Sequence, residues 1–329
     1  MRAPGFWYAP PGPAAAALAP LGVLYAAGGR LRRRLARPWR APVPVVCLGN
    51  LVAGGAGKTP AALAVMERLA ARGLAAHFLS RGHGGSLRGP VRVDPARHTA
   101  AEVGDEPLLL AGTAPAWVSR DRAAGARAAA AAGAAAIVMD DGFQNPGLAK
   151  DLSLLVVDGG AGFGNGRVIP AGPLREPLAD GLARAQAVLL VGDDRAGAGA
   201  ALAGRLPLLR ARLVPDAAAV TALAGRPCLA FAGIGRPAKF FDTCREAGLE
   251  LAGAVPFPDH HPYRESEVAA LLERARRLGA TAVTTEKDAV RLPGPLRGEV
   301  AVLPARLRLE EEGALDALLD GVMRRHGEA

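Results

Sequence analysis

The chain is poor in the residues that build several common kinds of site. Its 329 residues hold only three cysteines, Cys47, Cys228 and Cys244, far apart and without a C-x-x-C spacing. That argues against a disulfide framework and a cysteine-based zinc site, and a reduced, cytoplasmic compartment is the simplest expectation. Aromatic residues are 4% of the chain, too few for the stacking platforms that hold single-stranded nucleic acid, so nucleic acid is not an expected partner. The apolar stretch "AAAALAPLGVLYAAGG" (14–29) falls short of the ~20 residues that span a bilayer, and Pro20 interrupts it. Positive charges follow it, in "RLRRRLARPWR" (30–40), whereas a secretory signal carries them in front. Acidic residues are outnumbered 31 to 40 by lysine and arginine, giving a formal charge of +9. Such a balance suits anionic partners, although Arg- and Ala-rich coding produces it as well.

What is present points to two α/β units. The length allows about two domains, and half the residues are hydrophobic, many of them alanine. "VPVVCLGN" (43–50) reads as a strand entering a glycine-rich turn, and "AALAVMERLAARG" (61–73) as the helix leaving it. "AAHFLSRG" (75–82), "AAAIVMDDG" (134–142), "LSLLVVD" (152–158) and "AQAVLLVG" (185–192) are further strands, interleaved with helical runs, as in a parallel sheet. The alternation restarts after about residue 205 with a smaller set. The expected organisation is an N-terminal membrane-interface segment (1–40), a P-loop nucleotide-binding domain (41–205), a smaller α/β domain (216–298) and a C-terminal helix (310–329). "LPLLRARLVP" (206–215) and "EVAVLPARLRL" (299–309) are the expected pair of antiparallel strands joining the two domains. For residues 1–40, arginines beside an apolar stretch, with Trp7, Tyr8, Tyr25 and Trp39 nearby, fit a segment lying in the interface of an anionic membrane. A helix packed on the domain with a solvated basic end is the alternative.

"GNLVAGGAGKTP" (49–60) ends like a phosphate-binding loop, but Val52 stands where G-x-x-x-x-G-K-[ST] has its first glycine. Between a strand and a helix, the amides of Gly54, Gly55, Ala56 and Gly57 suit phosphate oxygens, Lys58 the β- and γ-phosphates, and the Thr59 hydroxyl Mg²⁺. Asp140 and Asp141, at the end of a buried strand, are candidate metal ligands; the sequence does not say which binds directly. Asp105 and Glu106, in "VGDEP", read as loop residues: an ordinary turn or a helix N-cap, or a proton acceptor for a substrate hydroxyl. "FPDHHPY" (257–263) could be a metal cluster, an acid–base histidine or a rigid turn. "GNGRVIPAGPLREP" (164–177) is a polar loop whose Arg167 and Arg175 could hold a substrate phosphate.

In order along residues 43–292, "GNLVAGGAGKTP", "LSRGHGG", "GDEPLLLA", "DDGFQN", "GNGRVIPAGPLREP", "FAGIGRPAKFF", "FPDHHPY" and "TTEKDAVRL" resemble the tetraacyldisaccharide 4'-kinases, the lipid A 4'-kinases. The family tolerates a non-glycine at Val52; it usually has Tyr at His83 and His at Asn145. The resemblance implies a P-loop kinase-like parallel sheet domain plus a smaller α/β domain. It implies transfer of the ATP γ-phosphate to the 4'-hydroxyl of a tetraacylated glucosamine disaccharide 1-phosphate, giving lipid IVA, with ATP and Mg²⁺. It further implies a catalytic pair matching Asp105 and His260, and a peripheral place on the cytoplasmic face of the bacterial inner membrane. Arg81, Gln144, Asn165, Arg175 and Glu176, within the matched motifs, are the candidate substrate-binding residues. Oligomeric state stays open. The rival reading is a nucleotide-dependent membrane switch that binds a protein partner. GTPases read guanine with [NT]-K-x-D, and in Thr285-Glu286-Lys287-Asp288 the lysine and aspartate are adjacent, which fails that spacing.

Overall fold

The structure is a computed structural model and describes residues 4–327. Among the described residues, thirteen strands form two sheets. The chain enters the larger sheet at β1 (Val45–Gly49) and adds β2 (Ala76–Ser80), β3 (Val91–Arg92), β4 (Ala116–Val118), β5 (Ala136–Asp140), β6 (Leu152–Asp158), β7 (Ala187–Val191) and β8 (Leu208–Pro215). It then builds the smaller sheet from β9 (Cys228–Ala232), β10 (Leu251–Pro256), β11 (Thr281–Thr285) and β12 (Ala301–Leu303), and returns to the larger one as β13 (Ala305–Leu309).

The larger sheet runs β13-β8-β7-β6-β1-β5-β2-β4-β3. Every pairing from β8 to β4 is parallel; only the edge strands β13 and β3 are antiparallel. Strands covered on both faces are predominantly apolar, and β1, β2, β5 and β7 are buried throughout, with His77, Ser80 and Asp140 as their buried polar residues. The smaller sheet, β10-β9-β11-β12, is wholly parallel. Along β9 the side chains divide by strand alternation: Cys228, Ala230 and Ala232 pack towards Phe240 and Phe241, Leu229 and Phe231 towards Tyr263 and Leu271.

Three local expectations change. The stretch 299–309 is two strands, because Pro304 between them has no N–H for a ladder; β12 ends the smaller sheet and only β13 pairs antiparallel with β8. Asp105 and Glu106 sit in the first turn of a helix, Asp105–Ala111, where Pro107 is tolerated because first-turn amides have no intrahelical acceptor. Pro20 does not interrupt its helix: α1 spans Pro13–Leu35 with Pro20 inside, and most of its surface is exposed, where water can satisfy the carbonyl that the proline leaves unpaired.

Candidate active site

The phosphate loop joins β1 to α2 (Lys58–Ala71). Gly54 and Gly57 have φ of +126° and +89°, values that only glycine adopts without strain, and Gly57 caps α2. Val52 is buried and bridges to Leu174, with the Ala53 amide donating to the Pro173 carbonyl at 2.8 Å and the Arg175 amide to that of Leu51 at 2.7 Å. The position where a first glycine is usual is thus occupied by contact with the 164–177 loop, and a side chain there fills core space.

Behind the loop, the Thr59 hydroxyl donates to Asp140 Oδ2 at 3.1 Å. Asp140 is buried, and its Oδ1 has no partner among the described residues. Burial raises the Asp140 pKa, Glu106 and Asp141 raise it further, and Lys58 opposes them only in part. An orphaned carboxylate oxygen beside a hydroxyl fits a Mg²⁺ that takes a few protein oxygens and completes its shell with phosphate and water. No group of three or more His, Cys, Asp or Glu side chains able to hold a metal occurs among the described residues, as that mode of binding requires none. Asp141 is placed differently: φ is +51°, and its Oδ1 takes Arg175 Nη1 at 2.9 Å and faces Lys58 Nζ at 3.8 Å. Burial pushes its pKa up, but Lys58 and Arg175 outweigh that and hold it below the usual carboxylate range.

The two sheets meet at Asp105. His260 Nδ1 lies 2.9 Å from Asp105 Oδ2, across 155 positions of sequence. The Glu106 amide donates to Asp105 Oδ1 at 3.0 Å. His260 has φ of +57° and is held by its amide, which donates to the Gly233 carbonyl at 3.0 Å. Burial alone would raise Asp105; the His260 hydrogen bond, with Lys287 and Arg291 nearby, reverses this and leaves it lowered. His260 is raised, chiefly by that same hydrogen bond, against the effects of burial and Lys287. His261 points elsewhere: Nε2 reaches Glu267 at 3.1 Å, and its ring packs on Phe257 and Tyr263. The His83 ring stands edge-on to His260 with centroids 5.9 Å apart. Asn145 instead closes a turn, its Oδ1 accepting the Gly147 amide.

The side chains that hold this meeting carry no signal of their role in the sequence alone. Lys287 Nζ lies 3.1 Å from Glu106 and 3.9 Å from Asp105. Arg291 Nε is 3.5 Å from Asp105, while its Nη2 donates to Asp288 and to the Gly233 carbonyl. Fully buried Asp288 also accepts from the Gly233 amide and the Tyr263 hydroxyl. Lys287 and Arg291 stand four apart in "TTEKDAVRL", and the turn after the short helix Glu286–Ala289 brings them together, Arg291 Nε donating to the Lys287 carbonyl at 3.2 Å. A second junction joins Asp158, at the end of β6, to Arg236 and Lys239 of the helix beginning at Pro237 and the residue before it.

The candidate substrate residues divide. Arg175, Gln144 and Glu176 form one network with Asp141: Arg175 Nη1 is 3.5 Å from Gln144 Oε1, and Gln144 Nε2 donates to Glu176 Oε1 at 3.1 Å and the Asn50 carbonyl at 2.9 Å. Asn165 spends its side chain on the Phe6 and Ala171 carbonyls and the Arg167 amide, so it shapes the loop. Arg81 is exposed; its charge, after burial, helps to pull the pKa of buried Arg122 down to about 10.

The family model for tetraacyldisaccharide-1-P 4'-kinase matches residues 14–324. A tetraacyldisaccharide 4'-kinase of Rhodospirillum centenum is 65% identical over 97% of this chain and 96% of its own. One from Dinoroseobacter shibae is 58% identical over 97% of each. A solved structure of LpxK from Aquifex aeolicus in complex with ATP superposes with a TM-score of 0.76 at 26% identity, covering 94% of this chain and 99% of that one.

Proposed function

The chain belongs to the tetraacyldisaccharide-1-P 4'-kinase family, and from that premise we infer how its residues divide the reaction. The enzyme phosphorylates the 4'-hydroxyl of the tetraacyldisaccharide 1-phosphate lipid A precursor, with ATP as donor and Mg²⁺ as cofactor. A membrane switch that makes no product is not favoured.

In the proposed mechanism the loop amides of Gly54 to Gly57 hold phosphate oxygens, and Lys58, released from Asp141, neutralises the β- and γ-phosphates. Thr59 and Asp140 would hold the Mg²⁺, which when bound neutralises charge on the phosphates; Asp141 keeps Lys58 and Arg175 in reach. The 4'-oxygen bonds to the γ-phosphorus as the bond from that phosphorus to the departing ADP oxygen breaks, and the hydroxyl proton passes to Asp105. His260 orients Asp105 and adjusts its basicity from the other sheet. The contact between Asp105 and His260 is the observation that carries this division, because a base shared between two units is complete only when they are together. Closure as a condition for reaction limits wasteful ATP hydrolysis.

The proposed setting is the cytoplasmic face of the bacterial inner membrane, with α1 in the interface of an anionic leaflet. By length and composition α1 is apolar enough to cross a membrane. Its contacts favour lying flat. Leu21, Val23, Leu24, Leu31 and Leu35 are exposed, whereas Ala15, Gly22 and Ala26 are buried against the protein. The assay that tests the reading supplies ATP, Mg²⁺ and the lipid disaccharide 1-phosphate and looks for a bisphosphorylated product. Lys58→Ala and Thr59→Ala should both abolish turnover; near-normal rates in both at saturating ATP would sink the P-loop roles.

A further inference from the structure

The 164–177 loop is held on two sides at once. On one side it is bonded to the phosphate loop through the Ala53 and Arg175 amides and the Val52–Leu174 bridge. On the other lies the N-terminal segment. The Asn165 amide donates to the Trp7 carbonyl at 2.7 Å, and the Trp7 indole donates to the Pro170 carbonyl at 3.0 Å. Gly22 brings α1 so close that an added Cβ would stand 3.0 Å from the Val168 carbonyl oxygen. At the loop's far end, Arg33 of α1 reaches Glu176 at 3.3 Å and Asp180 at 3.2 Å, and Arg30 pairs with Asp180 at 2.6 Å.

Glu176 is the pivot. Its side chain is 2% exposed, and a buried carboxylate needs its charge met by cations and hydrogen bonds. It has Arg33, Arg184 and the Gln144 amide. Gln144 in turn touches Arg175, Arg175 holds Asp141, and Asp141 faces Lys58 of the phosphate loop. One continuous chain of polar contacts therefore runs from α1 to the lysine that meets the phosphates. Arg184 still pairs with Glu176 if Arg33 is lost, but Arg175 stands one side chain away through Gln144, and a move towards the under-neutralised Glu176 would take Arg175 from Asp141.

We propose that Arg33 is a positioning residue for phosphoryl transfer: by neutralising Glu176 it keeps Arg175 on Asp141, so that the seating of α1 on the loop sets the turnover rate as well as the attachment. The proposal rests on the roles given above to Lys58, Asp141 and Arg175. It makes α1 part of the site, with its outer face free for lipid and its inner face wired to the phosphate loop.

The test is steady-state kinetics with the lipid disaccharide in mixed micelles at saturation, with vesicle binding and thermal melting measured on the same preparations. Arg33→Met should lower kcat by roughly 3- to 30-fold, the range for residues that act through a coupled network, and leave the KM for ATP within about twofold. Arg33→Lys offers one ammonium where two carboxylates are served, and should recover part of the loss. Adding Glu176→Gln to Arg33→Met should lower kcat little further, because the two act as one unit. An unchanged kcat in Arg33→Met with weakened vesicle binding would overturn the proposal and leave Arg33 an attachment residue. Losses that multiply in the double variant would overturn it too. Should Arg33→Met melt below the assay temperature, Arg33→Lys carries the decision: reduced kcat at unchanged ATP KM supports the proposal, and full kcat overturns it. The wild-type rate and Lys58→Ala, run alongside, test the underlying assignment of roles separately.

Discussion

At the scale of single residues the Asp105–His260 pair makes the sharpest predictions. A carboxylate in water, with a pKa of about 4, is a weak base, so it takes the hydroxyl proton only late in a loose transition state. Loss of a general base typically lowers rates by ~10²–10⁴-fold, and Asp105→Asn should lower kcat by that order while ATP binding survives. His260→Ala should lower kcat as well, and the double variant should be about as poor as the worse single. His261→Ala, by contrast, should act mainly on stability, since its ring is packed on Phe257 and Tyr263 and bonded to Glu267. The pH dependence has a definite sign. His260 is raised above the ordinary histidine value by its hydrogen bond to Asp105. Imidazolium already occupies the pair with a proton, so activity should fall as pH drops through a midpoint above that ordinary value. A proton-detected titration of His260 by NMR should show this midpoint, and Asp105→Asn should move it down. No movement would separate the two residues.

At the scale of elements, α1 divides its surface between a buried and an exposed face. Gly22 faces the 164–177 loop, Ala15 and Ala26 are buried, and the large apolar residues Leu21, Val23, Leu24, Leu31 and Leu35 are exposed. Full burial of a Val or Leu side chain in an apolar medium is worth about 1.5–3 kcal/mol. Val23→Asp and Leu24→Asp should therefore each weaken binding to anionic vesicles by roughly tenfold or more in a flotation assay, without changing the melting temperature by more than a few degrees. Raised salt should weaken the wild type too, since arginines near an anionic surface contribute about 1 kcal/mol each and are screened. Vesicle binding that ignores both changes would remove α1 from the interface. The helix Glu312–Gly327 shows the opposite use of an amphipathic face: Leu315, Leu319 and Val322 pack on the larger sheet, and Asp316 pairs with Arg68 and Arg72 of α2.

At the scale of the whole molecule, polar junctions among the described residues join the two sheets. Asp105–His260, supported by Lys287 and Arg291, is one; Asp158 with Arg236 and Lys239 is another, and Arg306 of β13 pairs with Glu286 at 2.7 Å. Burial would raise the Asp158 pKa, but the hydrogen bond from Arg236 and the charge of Lys239 bring it below the ordinary carboxylate value. Both cations are about two-fifths exposed, so solvent screening limits the junction to the order of 1 kcal/mol. That is enough to shift a balance between open and closed arrangements several-fold. Asp158→Asn should accordingly enlarge the radius of gyration measured by small-angle scattering without nucleotide, and saturating ATP should reverse the change. An unaltered radius in the variant would mean that this junction does not govern closure.

The sequence by itself determined what depends on neighbours along the chain. Strand, glycine turn and helix around Lys58 are written in 43–73, because a phosphate loop is built from local backbone freedom and the start of one helix. Asp140 and Asp141 were legible as metal candidates for the same reason, being the last residue of a buried strand and the one after it. Their division of labour was not: Thr59 faces Asp140, and Lys58 and Arg175 face Asp141, through side-chain directions that only packing sets. The link between Asp105 and His260 came from likeness to a family, since no spacing rule connects residues 155 positions apart. Glu176 reads as a candidate substrate-binding residue, and only the fold shows it buried under Arg33 of α1 and Arg184. Lys287 and Arg291, the latter held by Asp288, likewise gain meaning only where the smaller sheet presents them to Asp105. Periodicity and turn chemistry act over a few residues, whereas the partner of a buried charge is chosen by which sheet edge and which helix face the tertiary structure brings alongside it.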